Sequence, residues 1–181
     1  ELSKGKILDV GCGAGSHSLF LQNNGLDVTS IDVSKNAIEA CNLRGLKKAF
    51  VQDVMTLNNQ KFDTILLLMN GAGMCGRLKN ISKFLQQLKN LLTEEGQILV
   101  DSSDIIYMFD EDEDGSKWIP GDLDYYGEVE FTVSYKGETE KAFDWMYIDY
   151  NTLQNAAISN GFACELVLEG EHFDYLAKLS K

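Results

Sequence analysis

Residues 6–16 read Lys6-Ile7-Leu8-Asp9-Val10-Gly11-Cys12-Gly13-Ala14-Gly15-Ser16. The apolar first half predicts a buried strand, and the second half has glycine at every second position. Glycine adopts backbone angles that are closed to other residues, and it lets the main chain approach a ligand where a Cβ would collide. The segment therefore predicts a strand followed by a ligand-cradling turn, with the acid Asp9 two residues before that turn.

A nicotinamide dinucleotide is the first alternative for the ligand, because dehydrogenases also open with a strand, a glycine-rich turn and a helix. That fingerprint requires its third glycine, or an alanine, three places after the second. Here Ser16 stands at that position, and the extra glycine comes early, at Gly15. The chain also has no recognisable Ser/Tyr/Lys constellation for hydride transfer. An NAD(P)-dependent oxidoreductase stays open as the less favoured alternative.

The run from Asp9 to Gly15 resembles motif I of the Rossmann-like S-adenosylmethionine (SAM) methyltransferases. Three further segments match that family in the expected order along the chain. They are Val28 to Asp32, an apolar run that ends at an acid; Ala49 to Val54, similar to the third strand and its exit; and Phe62 to Met69, similar to the central strand.

The resemblance implies an α/β fold: a Rossmann-like, seven-stranded, mostly parallel sheet whose last strand is antiparallel, with helices on both faces and an inserted β-hairpin. It implies an enzyme that transfers a methyl group from SAM to a small-molecule acceptor and leaves S-adenosylhomocysteine (SAH). A non-catalytic SAM-binding domain is a second alternative, because the helical cap that usually precedes the first strand is expected to be absent here.

By position in the family's motifs, Asp32 would accept hydrogen bonds from the ribose hydroxyls, and Asp53 would receive the adenine amino group. The backbone amide of Val54 would meet the adenine ring. The full set of expected cofactor-binding residues is Asp9, Gly11, Cys12, Gly13, Gly15, His17, Asp32, Val33, Asp53, Val54, Met69 and Asn70.

Strands and helices alternate up to Asp101, which predicts parallel strands with crossover helices. From Ile105 the pattern changes to alternating apolar and polar residues around the turn at Lys136-Gly137-Glu138, typical of an antiparallel hairpin. We expect one domain, 1–181, with a substrate-side insertion at 105–148. The expected helices are Ser16–Asn24, Ser34–Asn42, Ile81–Leu92 and Thr152–Asn160, and the expected later strands are Gln97–Asp101, Gly127–Tyr135, Thr139–Ile148, Phe162–Leu168 and Phe173–Leu179.

A narrower similarity is to a bacterial group of SAM-dependent methyltransferases without an assigned substrate. The segments that carry it are Met69-Asn70-Gly71-Ala72-Gly73, Asp101-Ser102-Ser103-Asp104, Tyr125-Tyr126-Gly127 and Gly170-Glu171-His172-Phe173-Asp174-Tyr175-Leu176-Ala177.

Composition limits the partners. The formal net charge of −12 disfavours nucleic acid as a substrate, because an acidic surface repels polyanions. No apolar run approaches the roughly 18 residues of a membrane span, so no membrane association is expected. Four scattered cysteines without a Cys-x-x-Cys pair imply neither a disulfide framework nor a metal site. With no signal peptide visible, a cytoplasmic location is expected; the oligomeric state stays open.

Methyl transfer is a direct displacement at an activated carbon, so holding the acceptor in line supplies much of the catalysis and a base is optional. Candidate bases are Asp101 and Asp104, after the fifth strand, and His172, in the last turn. Solvated or capping acids are an equally good interpretation of Asp101 and Asp104, and a lone loop histidine such as His172 is more often simply exposed. The sequence therefore predicts the cofactor and leaves the base open.

Overall fold

The computed structural model describes residues 2–181, and its centre is a seven-stranded sheet. The strand order across the sheet is β10-β11-β5-β4-β1-β2-β3. These strands are β1 Lys6–Val10, β2 Asp27–Asp32, β3 Ala49–Val51, β4 Phe62–Leu67, β5 Leu92–Ser103, β10 Ala163–Glu169 and β11 Asp174–Ser180.

Strands β1 to β5 pair in parallel, and β11 lies antiparallel between β5 and β10. The expected Rossmann-like sheet, with its last strand reversed, is confirmed. Its fifth strand starts earlier than expected, at Leu92, because the Glu94-Glu95-Gly96 segment forms an irregularity within the strand instead of a turn before it.

Successive residues of the central strands point to opposite faces of the sheet, as extended chains require. On one face, Leu8, Ile65 and Ile98 belong to a core cluster with residues of the helices at 81–91 and 150–159. On the other, Ile7, Leu66 and Leu99 pack with Leu21 of the helix at 16–23. Helices therefore cover both faces, as expected. The helices are α1 Ser16–Asn23, α2 Lys35–Leu43, α3 Ile81–Leu91 and α4 Tyr150–Ser159.

Two helices begin at side-chain caps. Ser34 Oγ accepts a hydrogen bond from the Ala37 amide (3.3 Å) at the start of α2, and Asp149 Oδ1 accepts one from the Thr152 amide (2.9 Å) at the start of α4. Such caps pair amides that the helix itself leaves free. None of the helices between residues 2 and 181 has the length and apolar content needed to cross a lipid bilayer.

The inserted hairpin is present, but it is divided into two short ladders. Strands β6 Glu128–Phe131 and β9 Phe143–Met146 form the inner ladder, and β7 Ser134–Tyr135 and β8 Glu138–Thr139 form the outer one. The register shifts by one residue between them, so the returning strand carries one extra residue near Lys141. A bulge of this kind interrupts pairing and twists the ribbon. The continuous strands expected from the sequence were wrong in this respect.

The core of the sheet–helix interface can be tested at α3. Leu88 is fully buried, so Leu88→Ala leaves a cavity and should lower the free energy of unfolding by about 2–5 kcal/mol in chemical denaturation. Leu43 in α2 is 83% exposed, and Leu43→Ala should change it by no more than about 0.5 kcal/mol. Equal effects of the two substitutions would contradict this packing.

Candidate functional site

The glycine turn is fastened to the end of the neighbouring strand. The amides of Gly11 and Cys12 both donate to the carbonyl of Ile31, at 2.9 and 3.1 Å. Gly11, Gly13 and Gly15 all have positive φ, between 53° and 77°, in the region that glycine adopts without strain. The turn therefore needs glycine for its backbone angles.

Asp32, at the end of β2, connects this turn to the start of α2. Its Oδ2 accepts the Gly13 amide at 2.9 Å, and its Oδ1 accepts the Ser34 amide at 2.8 Å. A carboxylate oxygen has two lone pairs, so each oxygen keeps one position for a further donor. The side chain is only partly buried and lines a cavity of about 500 Å³ beside the glycine turn, which we call the main cavity.

Asp9 lies behind the turn. It is 3% exposed and accepts a hydrogen bond from Ser18 Oγ at 2.5 Å, while Ser18 Oγ in turn accepts one from Ser30. Burial raises the pKa of Asp9, and the Ser18 hydrogen bond opposes that shift. The acid thus ties α1 to β1 and β2, and it does not line the main cavity.

The main cavity opens beside the turn at the carboxyl ends of the parallel strands, where open α/β sheets bind ligands. Six residues expected from the sequence line it: Gly11, Asp32, Val33, Asp53, Val54 and Met69. The other expected residues, Asp9, Cys12, Gly13, Gly15, His17 and Asn70, lie outside its lining. The two sets differ because sequence position fixes the backbone path and leaves open which side chains reach the cavity.

Cys12 and His17 have different surroundings. The Sγ atoms of Cys12 and Cys41 are 3.8 Å apart, and burial together with this neighbour raises the pKa of the Cys12 thiol. His17 lies on a separate apolar recess of about 230 Å³, beside Phe20 and Leu68. Of His17, Phe20 and Leu68, only Leu68 also lines the main cavity.

The side chain of Asp53 begins a short 3-10 turn. Its Oδ1 accepts the Met55 amide at 2.8 Å, and the turn covers Val54–Thr56. Among the described residues, its other oxygen makes no hydrogen bond, and Asp53 lines the cavity beside Val54 and Met55. Val54 itself is buried and presents an apolar surface there.

The loop after β4 is held by Asp101. Its carboxylate accepts the amides of Met69 (3.0 Å), Asn70 (2.7 Å) and Gly71 (3.2 Å). Met69 and Asn70 both have positive φ, 64° and 59°, which is costly for residues other than glycine. The three hydrogen bonds offset that cost and favour a positioning role for Asp101.

Asn70 connects the same loop to the inserted hairpin. Its Oδ1 accepts from Ser102 Oγ at 2.8 Å, and its Nδ2 donates to the Met146 carbonyl at 3.3 Å. Ser102 Oγ also accepts the Ile148 amide at 3.0 Å. The amide group of Asn70 is therefore engaged within the protein.

The remaining candidate bases lie elsewhere on this edge. Asp104 Oδ1 accepts both the Tyr126 hydroxyl (2.8 Å) and the Ile106 amide (2.9 Å). It lines a second cavity of about 500 Å³ with Asp149 and Tyr175. His172 is exposed in the turn between β10 and β11, and its amide donates to Asp174.

The inner end of the hairpin supplies cavity residues that the sequence did not single out as a set. Phe143, Asp144 and Trp145 of β9 line the cavity, as do Met74 and Phe84. The alternation of β9 was a readable signal for one face of a strand, but nothing in it indicated which surface that face meets. Contact with the cavity depends on where the hairpin folds back.

An ion-pair clamp fixes this end of the hairpin. Arg77 pairs with Glu128 at 3.0 Å and with Asp144 at 2.5 Å, and Glu128 also accepts the Leu78 amide at 2.7 Å. The side chain of Glu128 is only 4% exposed. Arg77 holds the pKa of Asp144 below its usual range, so that carboxylate stays charged at neutral pH.

Comparison with known proteins identifies the family. The profile of the methyltransferase domain family matches residues 1–160. The chain belongs to this family.

Individual proteins that are similar to this chain are also methyltransferases. A solved structure, the SAM-dependent methyltransferase from Bacteroides fragilis in complex with S-adenosyl-L-homocysteine, is 47% identical, with a TM-score of 0.91 over 99% of this chain and 73% of that chain. The ubiquinone biosynthesis O-methyltransferase of Rickettsia prowazekii is 29% identical over 105 residues, covering 55% of this chain and 40% of the relative. The probable S-adenosyl-L-methionine-dependent methyltransferase TehB of Haemophilus influenzae is 37% identical over 71 residues, which cover 39% of this chain and 21% of the relative. The chain thus spans less than half the length of these curated relatives.

Asp101 can be tested as a positioning residue. Asp101→Asn keeps the shape but leaves one acceptor oxygen for three amides, so the free energy of unfolding should fall by about 1–3 kcal/mol at pH 7. The exposed Asp110, changed to Asn, is the matched control and should have no measurable effect. Unchanged stability together with a large loss of turnover would instead indicate a base.

Proposed function

We propose that this chain binds SAM and transfers its methyl group to a small-molecule acceptor, releasing SAH. The observation that carries the proposal is the cavity that joins Gly11, Asp32 and Asp53 at one sheet edge. The SAH complex of the Bacteroides fragilis protein, 47% identical to this chain, supports SAM as the cofactor.

The residues present fit the nucleoside part of SAM. Each oxygen of Asp32 keeps an acceptor position, which suits the two hydroxyls of a ribose. The unpaired oxygen of Asp53 suits the adenine amino group, and the buried Val54 suits an apolar ring face. Gly11 and Val33 complete this part of the lining.

The bound cofactor would supply an electrophilic methyl on a sulfonium sulfur, so this chain's residues have mainly to position an acceptor and exclude water. The carboxylates of Asp101 and Asp104 are already occupied by protein donors. We therefore assign no general base and expect catalysis to rest on positioning.

A small molecule is the favoured acceptor class. The net charge of −12 opposes polyanionic substrates, which argues against nucleic acid. We also propose that the chain works in the cytoplasm, because its four cysteines are free thiols.

Two measurements separate the three candidate functions, and calorimetric titration is the first. The proposal requires micromolar binding of SAM and SAH and none of NAD or NADP; the reverse result would favour the oxidoreductase. Methyl release from labelled SAM, assayed against a panel of metabolites, then separates an enzyme from a non-catalytic SAM-binding domain. Tight SAM binding with no release for any acceptor would favour the latter.

Asp32 gives a residue-level prediction. Asp32→Ala should weaken SAH binding by about 2 kcal/mol, roughly 30-fold, because hydrogen bonds to a charged acceptor are lost.

Since Asp32 also holds the glycine turn, a matched pair of ligands is needed as the control. Adenosine should compete with SAH better than 2′,3′-dideoxyadenosine does in the unchanged protein, and the two should compete equally in Asp32→Ala. If adenosine still competes better than 2′,3′-dideoxyadenosine in Asp32→Ala, the ribose assignment is wrong.

A further inference from the structure

The inner end of the hairpin forms one wall of the main cavity. Phe143 and Trp145 face it from β9, with their rings arranged edge to face at 6.2 Å between centroids. The resemblance led us to expect this insertion on the acceptor side. The wall shares its cavity, however, with Asp53 and Val54, the residues assigned to adenine.

Trp145 is held in place by close packing. A Cβ built on Gly73 would lie 2.2 Å from Trp145 Nε1, so the indole rests directly on the backbone of that glycine. Gly73 has an ordinary φ, so the contact itself, and not the backbone angle, requires glycine here. The Arg77 clamp on Asp144 and the Asn70 bond to Met146 hold the residues on either side of Trp145.

Apart from the Asp144 carboxylate, which is paired with Arg77, this part of the cavity is apolar. Met55, Met74 and Phe84 line it together with Phe143 and Trp145. Flat aromatic and thioether surfaces suit the faces of a purine ring. The amino-acid end of SAM carries an ammonium and a carboxylate, which such a surface does not serve.

On the basis of the proposed function, we propose that Trp145, supported by Phe143, contacts the adenine of SAM and contributes to its affinity. The hairpin thus closes the cofactor end of the cavity. The acceptor approaches from the other end, by Gly11, Leu68 and Met69.

The test compares the two tryptophans of the chain. Trp118 belongs to the same insertion but is 69% exposed, so Trp118→Ala is a matched control. We expect Trp145→Ala to weaken SAH and 5′-methylthioadenosine by the same factor, about tenfold, because both share the adenine whose contact is lost. Trp118→Ala should leave both affinities unchanged.

Two outcomes overturn the inference while leaving the proposed function in place. One is unchanged binding of both ligands to Trp145→Ala. The other is a raised KM for the acceptor with no change in the affinity for either ligand. If the unchanged protein binds neither SAH nor 5′-methylthioadenosine, the proposed function itself fails. The two failures are therefore distinguishable.

A second measurement does not depend on how Trp145→Ala folds. Trp118→Phe leaves Trp145 as the single indole, and we expect its emission to change on titration with 5′-methylthioadenosine, with a saturation that follows the calorimetric affinity. Methionine alone should leave it unchanged. Constant emission at saturating 5′-methylthioadenosine would overturn the inference.

Discussion

The carboxylate of Asp32 joins the glycine turn to the segment that begins α2. One oxygen holds the Gly13 amide at 2.9 Å, and the other holds the Ser34 amide at 2.8 Å. These two hydrogen bonds fix the position of the glycine turn relative to α2, and Asp32 still lines the cavity. The proposed ribose contact depends on this arrangement, because the same group shapes the turn and meets the ligand.

A similar use of carboxylates recurs along the edge of the sheet. Asp101 holds a loop whose backbone angles are unfavourable, and Asp53 begins a 3-10 turn while keeping one oxygen free among the described residues. Asp149 caps α4 and accepts the Tyr125 hydroxyl at 2.7 Å. Acids at this edge are therefore mainly loop anchors, which fits a reaction that asks for position more than for a base.

Much of the fold could be predicted because its signals are local. The apolar strand before Gly11 and the cap at Ser34 each act within a few residues. The seven-stranded, mostly parallel sheet with its last strand reversed followed from the family resemblance. The hairpin was predicted, but its division into two ladders was not. A one-residue shift in register changes the face that each side chain takes, but both sides of the shift keep the period of two that predicts a strand.

The site was less predictable because its contacts join residues that are far apart in the sequence. Asp101 and Asn70 meet across 31 positions of sequence, and Trp145 reaches Gly73 only after the hairpin folds back. No short pattern encodes such contacts. A tryptophan on an alternating strand predicts burial of one face, and the partner of that face is fixed by tertiary packing.

The most direct test of the account is a crystal structure of this protein soaked with SAH. We predict ribose density on the carboxylate of Asp32 and purine density between Val54 and Trp145. SAH bound instead in the cavity lined by Asp104 and Tyr175, or with its purine away from the hairpin, would contradict it.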